Sequence, residues 1–301
     1  MISSADLYAK RINLVIDYIN NNLDHTLSLE ELSAVACFSP FHFHRIFKTV
    51  TGETVKDFTN RIRMEKAARL LRFSKNRLNY IASECGFSDA TSLSRLFRQY
   101  FGITPREYQN GTAIKNSKIR QDLYPVNAYY CNADKEELQK KYPVEITSVS
   151  ERRIAYIRVV DAFREGVVID ALKEMITWSK QHGLFDSEEI FGMSLDDPEV
   201  TPKNQYRYEV CITLPSGFKM ASVTKLQTTV LPACRYAVTK VSGDIVEVGK
   251  AINYMFDIWL INSGYECEHL HALEIFRDKD RLCNWEHFEL EFCIPIKELG
   301  I

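Results

Sequence analysis

Apolar positions in the first hundred residues recur with the 3.6-residue period of amphipathic helices. The first such stretch, residues 7–23, predicts a helix with five apolar side chains on one face: Leu7, Ile12, Val15, Ile16 and Ile19. After it, the pattern predicts a pair of short helices joined by a tight turn, and it does so twice. The predicted pairs are 29–36 with 40–50, and 78–85 with 89–100. A duplicated helix-turn-helix unit is therefore expected.

The two units align with an offset of 50 residues, which matches Arg45 with Arg95 and Lys48 with Arg98. The matched arginines lie on the predicted exposed face of the second helix, where arginine can bind guanine with two parallel hydrogen bonds. Lys48 and Arg98 follow one turn later, a position that favours phosphate. Gly86 lies where the second turn requires a positive φ.

A segment without Gly or Pro, residues 54–73, separates the units and predicts one straight helix of about 30 Å. This length is close to the roughly 34 Å between successive major-groove faces of DNA. Two recognition helices on such a connector could enter adjacent grooves of double-stranded DNA from one side. The duplication therefore predicts that one chain does what most helix-turn-helix proteins do as dimers.

From residue 143 onward, strand-like and helical patterns alternate, and a second repeat emerges. "YRYEVCITLP" at 206–215 matches "HFELEFCIPI" at 287–296, and "ITWSKQHGL" at 176–184 matches "DIWLINSGY" at 257–265. Each copy predicts the order β-β-α-β-β, so an α+β domain of two duplicated units is expected, with a ligand groove along its pseudo-two-fold axis. The expected domains are 1–110 and 143–301, joined by a linker at 111–142.

Composition and charge agree with two domains that have different partners. The chain has 301 residues, of which 46% are hydrophobic. Residues 1–120 carry a net charge of +7 and residues 121–301 a net charge of −9, so only the first part suits a polyanion. Eight scattered cysteines without a C-x-x-C pair, no long apolar run and no signal-peptide pattern predict a cytoplasmic protein without a membrane span.

One carboxylate in the second domain interrupts an apolar strand. In "HLHALEIF", Glu274 shares a strand face with Leu270, Ala272 and Phe276, where a carboxylate requires a partner or a function. We expect it to bind a ligand, with a salt bridge to Arg235, Arg277 or another cation as the alternative. Aligning the repeats at their tryptophans makes Met193 its counterpart. Six aromatic residues are candidate groove walls, since aromatic rings attract cations: Tyr156, Trp178, Tyr208, Tyr236, Tyr254 and Trp259. Of these, Tyr156, Tyr208, Tyr254 and Trp259 are expected to contact the ligand.

Other chemistry has weaker support. Cys267, His269 and His271 alternate along a strand and could bind zinc or copper, but a fourth ligand is not evident, so no metal or cofactor is expected. The sequence lacks an evident nucleophile triad, so binding without turnover is expected. Two alternatives stay open: a hydrolase in which Glu274 and a tyrosine activate water, and a module that contacts RNA polymerase or another regulator.

The N-terminal segments "LSLEELSAVACFSPFHFHRIFK" and "IASECGFSDATSLSRLFRQYFGITPREY" resemble the AraC/XylS family of bacterial transcription regulators over residues 8–110, in a Rob-like arrangement. The resemblance implies base-reading positions on both second helices: Phe41, His44, Arg45, Ala90, Thr91, Ser94 and Arg95. Cys37 departs from the family because it stands where a glycine is usual.

The C-terminal segments "DDPEVTP", "YRYEV" and "WLINSGY" resemble the GyrI-like effector-binding domain over residues 143–298. Members of this family bind varied small molecules, often hydrophobic cations, in an aromatic groove around one acidic residue. Glu274 occupies the position that resembles this acid. Together the two resemblances imply a transcription regulator that binds DNA and senses a small molecule.

Overall fold

The structure is a computed structural model that describes residues 4–74, 76–110, 135–197, 200–221, 225–268 and 270–298. Contacts within the chain divide it into two compact units. The first unit contains seven described α-helices and the short stretches Asp196–Gln205, which includes a 3-10 turn at Lys203–Gln205, and Ala221–Lys225, and the second contains the other described helices and all nine described strands. Among the described helices, none is both long and apolar enough to cross a membrane.

The first unit is all-helical, as its periodicity predicts. Its helices are α1 Ser4–Asn21, α2 Leu29–Val35, α3 Pro40–Thr51, α4 Val55–Phe73, α5 Leu78–Glu84, α6 Ala90–Phe101 and α7 Pro105–Gln109. Ser28 and Glu31 form the expected capping box at α2. Gly52 and Gly102 end α3 and α6 in the left-handed conformation, so the two copies also end alike.

Each helix-turn-helix pair of the first unit has its own apolar core. Phe43 and Phe47 of α3 pack with α1 and α2 in one core, and Leu93 and Phe97 of α6 pack with α5 in the other. Helix α4 contributes its first half to one core and its second half to the other. Since each pair packs on a different part of one helix, α4 sets their spacing.

The second unit has one antiparallel sheet, and its strands are β1 Val144–Val149, β2 Arg152–Val160, β3 Ile190–Ser194, β4 Arg207–Thr213, β5 Gln227–Leu231, β6 Cys234–Gly243, β7 Tyr265–Cys267, β8 Ala272–Phe276 and β9 Phe288–Glu298. The strand order is β1-β6-β9-β8-β3-β4-β2-β5, with β7 paired to β9. Helix α9, Val167–Gln181, and helix α10, Ile245–Asn253, occupy equivalent places in the two copies. The predicted α+β duplication is confirmed, with the short β7 added to the second copy.

The two helices leave the middle of the sheet between them. Helix α9 packs on β2 and β4, and α10 packs on β6 and β9. Strands β3 and β8 pair with each other at the centre. Helix α10 continues as a π-helix over Tyr254–Leu260, a rare form that often accompanies function.

Most of the predicted linker, residues 111–134, lies outside the described residues. Its end differs from the prediction, because Lys135–Lys141 forms helix α8. Leu138 and Tyr142 are buried, and the Tyr142 hydroxyl donates to Glu247 of α10 at 2.5 Å. The ordered second unit therefore starts before residue 142, since α8 is held by contacts that a sequence window cannot show.

Candidate DNA-binding surface and ligand-binding groove

Helix α3 presents a polar, cationic face opposite its buried phenylalanines. His44, Arg45 and Lys48 are exposed, and Phe41 is 70% exposed. The guanidinium carbon of Arg45 lies 6.0 Å from the centroid of the Phe41 ring. The four predicted residues of this helix therefore share one accessible surface.

Helix α6 presents the matching surface in the second pair. Thr91, Arg95 and Arg98 are exposed, and Ser94 is partly buried. The Ser94 hydroxyl donates to the carbonyl of Ala90 at 2.7 Å, so in this arrangement it can only accept a bond from another group. The side chains of Arg45, Lys48 and Arg95 form no ion pair with any described residue.

The connector cations have a different role from the cations of α3 and α6. The Arg61 guanidinium is buried, and its nitrogens lie 2.7 Å from Glu53 Oε1, 2.9 Å from Glu65 Oε1 and 3.8 Å from Asp196 Oδ1. Burial alone would lower the pKa of Arg61, but these carboxylates raise it above its usual value. Arg61 is therefore structural. Only Glu65, one turn away in the same helix, could have indicated this from sequence.

Glu274 lies at the centre of the sheet, on the face that the helices flank. It is partly exposed, and its neighbours across the sheet are Gly192 of β3 and Phe292 of β9. The Tyr208 hydroxyl donates to Glu274 Oε2 at 2.7 Å. A Cβ on Gly192 would overlap the Tyr208 hydroxyl oxygen. Tyr208 therefore reaches Glu274 because the intervening strand has no side chain at that point.

No described cation neutralises this carboxylate. Arg235 pairs with Glu298 at 2.8 Å, and Arg277 pairs with Glu189 at 3.1 Å and with Glu291 at 2.5 Å, so neither forms the alternative salt bridge. Burial raises the pKa of Glu274, and the Tyr208 hydrogen bond lowers it only in part. Burial and the adjacent carboxylate raise the pKa of Tyr208 well above its usual value.

The other predicted groove residues do not join Glu274 and Tyr208 in one cluster. Tyr156 pairs with Cys211 in the sheet and packs on the opposite face, which corrects its assignment to the groove. Tyr254 is buried, with its ring 5.5 Å from that of Tyr142. Trp259 stacks on Tyr265 at 6.3 Å, beside the far end of β9.

The repeat alignment also requires a correction. Met193 faces the opposite side of the sheet with Leu273, and Gly192 lies across from Glu274. The alignment was wrong by one residue because the tryptophans and the strands have different offsets in the two copies. Sequence reasoning also missed Phe256 of the π-helix, whose ring meets that of Phe292 edge-on at 6.1 Å.

A serine, a histidine and a glutamate lie close together elsewhere on the second unit, but their hydrogen bonds are not arranged as in a hydrolytic triad. Glu289 Oε1 accepts from the Ser242 hydroxyl at 2.5 Å and lies 2.9 Å from His287 Nε2. In acyl-transfer triads the histidine takes the serine proton and the acid lies behind the histidine. Here the carboxylate binds the hydroxyl itself, and all three side chains are exposed.

Within the described ranges, no group of three His, Cys, Asp or Glu side chains is placed to hold a metal ion.

Comparisons with known proteins identify both parts of the chain. The family model of the GyrI-like small molecule binding domain matches residues 142–297, and that of a helix-turn-helix domain matches residues 32–111. The chain is 31% identical over 118 residues to the multiple antibiotic resistance protein MarA of Escherichia coli, which covers 39% of this chain and 91% of MarA.

Two further proteins each match about a third of this chain. The HTH-type transcriptional activator RhaS of Escherichia fergusonii is 37% identical over 101 residues, covering 34% of this chain and 36% of RhaS. The DNA-binding domain of AdpA, solved in complex with a target DNA, is 28% identical, with a TM-score of 0.32 over 33% of this chain and 90% of that one.

Proposed function

The chain belongs to the AraC-type DNA-binding transcription regulators and carries a GyrI-like small molecule binding domain, and we propose that its ligand is a hydrophobic cation that pairs with Glu274. The observation that carries this proposal is Glu274 itself, a partly exposed residue on the sheet face between helices α9 and α10. Its carboxylate accepts a hydrogen bond from the Tyr208 hydroxyl but pairs with no described cation. The family is one of non-enzymatic transcription regulators, which favours binding without turnover over the hydrolase alternative. Contact with RNA polymerase stays a prediction.

The DNA-binding part of the proposal assigns roles to single residues. Arg45 and Arg95 contact bases, and Lys48 and Arg98 contact phosphates, with the other predicted residues of α3 and α6 beside them. Support comes from the exposed face of each helix and from the guanidinium groups of the two arginines, which form no ion pair with any described residue. Helix α4 has 19 residues, or about 28 Å, between the two pairs.

A binding assay separates base contacts from phosphate contacts. On a target site selected from random sequences, Arg45→Ala and Arg95→Ala should each cost about 1–3 kcal/mol and relax specificity at one position. Random DNA should be affected much less. Arg164→Ala removes the same charge from an exposed site in the second unit and serves as the control. Equal losses on target and random DNA would make both arginines phosphate contacts.

The ligand follows from the chemistry of the groove floor. An ionised carboxylate in an apolar site is costly when unpaired, and a cation can neutralise it. The Tyr208 ring beside Glu274 can attract the same charge by about 0.5–2 kcal/mol. A flat aromatic cation meets both requirements, because its charge faces Glu274 while its rings cover apolar surface.

Glu274→Gln tests this ligand class, because it keeps the shape of the side chain and removes its charge. We expect N-methylquinolinium to bind the variant at least tenfold more weakly, about 1.4 kcal/mol, and the neutral methylnaphthalene to bind both proteins alike. Calorimetric titration of the full chain measures both. Equal weakening of the two ligands would show that Glu274 has a structural role, and no change in either would place the ligand elsewhere.

The raised pKa of Glu274 adds a pH test. Because its folded-state pKa lies above the unfolded value, the carboxyl contributes stability at low pH and loses that contribution as the pH rises through the folded-state pKa. At neutral pH, Glu274→Gln should therefore raise the melting temperature of the ligand-free chain. Affinity for the cation should increase with pH over the same range in the parent and stay flat in the variant.

A further inference from the structure

The sheet face opposite Glu274 carries a cavity of about 270 Å³. Leu273 and Ile275, the strand neighbours of Glu274, line it, and their side chains point away from the groove because side chains alternate along a strand. We propose that this cavity is a second binding site, which takes a small aromatic carboxylate.

The cavity is built like a small-molecule site. Its floor is apolar, formed by the buried residues Tyr236, Leu273 and Cys293, and charged residues surround this floor. Ligand sites typically combine an apolar lining with a few placed polar groups and span about 300–1,000 Å³. A volume slightly below that range favours a compact ligand of one or two rings.

Arg152 provides the group that selects charge. Its Nη1 donates to Glu189 Oε2 at 2.7 Å, and its guanidinium carbon lies 5.3 Å from the centroid of the Phe191 ring. The Nε and Nη2 atoms are buried and have no acceptor among the described residues. A buried charged donor without an acceptor is costly, and the Nε–Nη2 edge is suited to hold a carboxylate with two parallel hydrogen bonds.

No described carboxylate binds the Nε–Nη2 edge of Arg152, so this edge can bind an anion. Glu189 and Glu291 are already paired with Arg277, at 3.1 and 2.5 Å, so they offer little to an incoming cation. At the rim, Lys240 and Glu145 are both exposed and oppose each other in charge. The side chain of Arg152 keeps 17% of its surface accessible, but the buried Nε and Nη2 atoms contribute almost none of it, so a carboxylate reaches this edge when the guanidinium turns toward the cavity. A carboxylate would supply the acceptor that Arg152 lacks while its ring covers the apolar floor.

Calorimetric titration of the full chain with naphthoate and the neutral naphthamide tests the proposal. Naphthoate should bind saturably, and naphthamide at least tenfold more weakly. Arg152→Lys keeps the charge but removes the two-pronged edge, and should weaken naphthoate at least tenfold. Glu274→Gln should leave naphthoate unchanged, which separates this cavity from the groove.

A second variant keeps the test decisive if Arg152→Lys disturbs folding. Lys240→Gln lies on an exposed rim and should weaken naphthoate about threefold without affecting the core. Three results would overturn the proposal: no saturable binding of naphthoate, equal binding of naphthamide, or a naphthoate affinity that depends on Glu274 and on neither Arg152 nor Lys240.

Discussion

The two helix-turn-helix pairs have the same turn and different residues within it. In the first, the Phe38 amide donates to the Ser33 carbonyl at 3.0 Å, and in the second the Phe87 amide donates to the Ala82 carbonyl at 2.9 Å. These bonds require a left-handed residue just before the phenylalanine. Cys37 takes that conformation with a φ of +54°, and Gly86 with a φ of +70°.

The surroundings of the two turns explain the difference. A Cβ on Gly86 would lie 2.2 Å from the Leu23 carbonyl oxygen and 2.7 Å from Arg63 Nη2. Cys37 is exposed, so its side chain meets solvent. Glycine is therefore required at the second turn by close packing, and at the first only the backbone conformation favours it.

The two halves of helix α4 make different polar contacts. Substitution of Arg61 should cost more stability than substitution of any other residue of this helix. Arg61→Met would leave the largely buried Glu53 carboxylate and the buried Glu65 carboxylate without a cation, which costs about 3–5 kcal/mol. Lys66, which donates to the Glu84 carbonyl of the second pair at 2.5 Å, is the matched control. Lys66→Met should cost about 1–2 kcal/mol. Urea unfolding followed by circular dichroism compares them, and equal losses would contradict the asymmetry.

Substitutions in the two turns should differ nearly as much in the stability that they cost. Gly86→Ala adds both the overlap with Leu23 and the strain of a positive φ, so we expect a loss of about 3 kcal/mol. Cys37→Ala, at the equivalent position, should change stability little, because neither residue is a glycine. Melting temperatures of the two variants test the contrast. A tolerated Gly86→Ala would mean that the turn can shift away from Leu23.

Local pattern predicted most of the first unit, because its helices depend on caps, turns and apolar spacing. Helix α3, predicted at 40–50, spans Pro40–Thr51, and the connector, predicted at 54–73, spans Val55–Phe73. The left-handed turn at Gly86 also agrees. The burial of Arg61 was not predictable in the same way, since Glu53 and Asp196 reach it from outside its helix.

Prediction of the groove residues depended more on the long-range register of the strands. Alternation along one strand placed Glu274 correctly among its neighbours in sequence. The tyrosine that reaches Glu274 is determined by the pairing of β3 with β4 and β8 and by the absence of a side chain at Gly192. A shift of one residue reverses the face of a strand. Tyr156 and Met193 were therefore assigned to the wrong face.

Cys37→Gly should have a smaller effect than Gly86→Ala, and it should raise stability instead of lowering it. Glycine removes the cost of a left-handed L-residue, which exceeds the added entropy of the unfolded chain, so a gain of about 0.5–1 kcal/mol is expected. Cys37→Ala serves again as the control, with no gain. A loss of stability in Cys37→Gly would show that the cysteine side chain contributes contacts that outweigh its backbone strain.

The smallest expected effect concerns the residues before α3 and α6. Asp89 Oδ1 accepts from the Ser92 amide at 2.8 Å, but Ser39, at the matching position, makes no such bond. Asp89→Ala should therefore lower the melting temperature, and Ser39→Ala should leave it nearly unchanged. The Ser92 amide, followed by the Ser88 hydroxyl, holds the pKa of Asp89 below its usual value.

The lowered pKa of Asp89 determines how the stability contributed by this helix cap depends on pH. A carboxyl with a lowered folded-state pKa contributes stability above its unfolded-state pKa and loses it as the pH falls through the folded-state pKa. The difference between the parent and Asp89→Ala should therefore be present at neutral pH and shrink in acid, while Ser39→Ala follows the parent throughout. A difference for Asp89→Ala that did not change with pH would show that the cap acts without its charge, and the two pairs would then differ only in hydrogen-bond geometry.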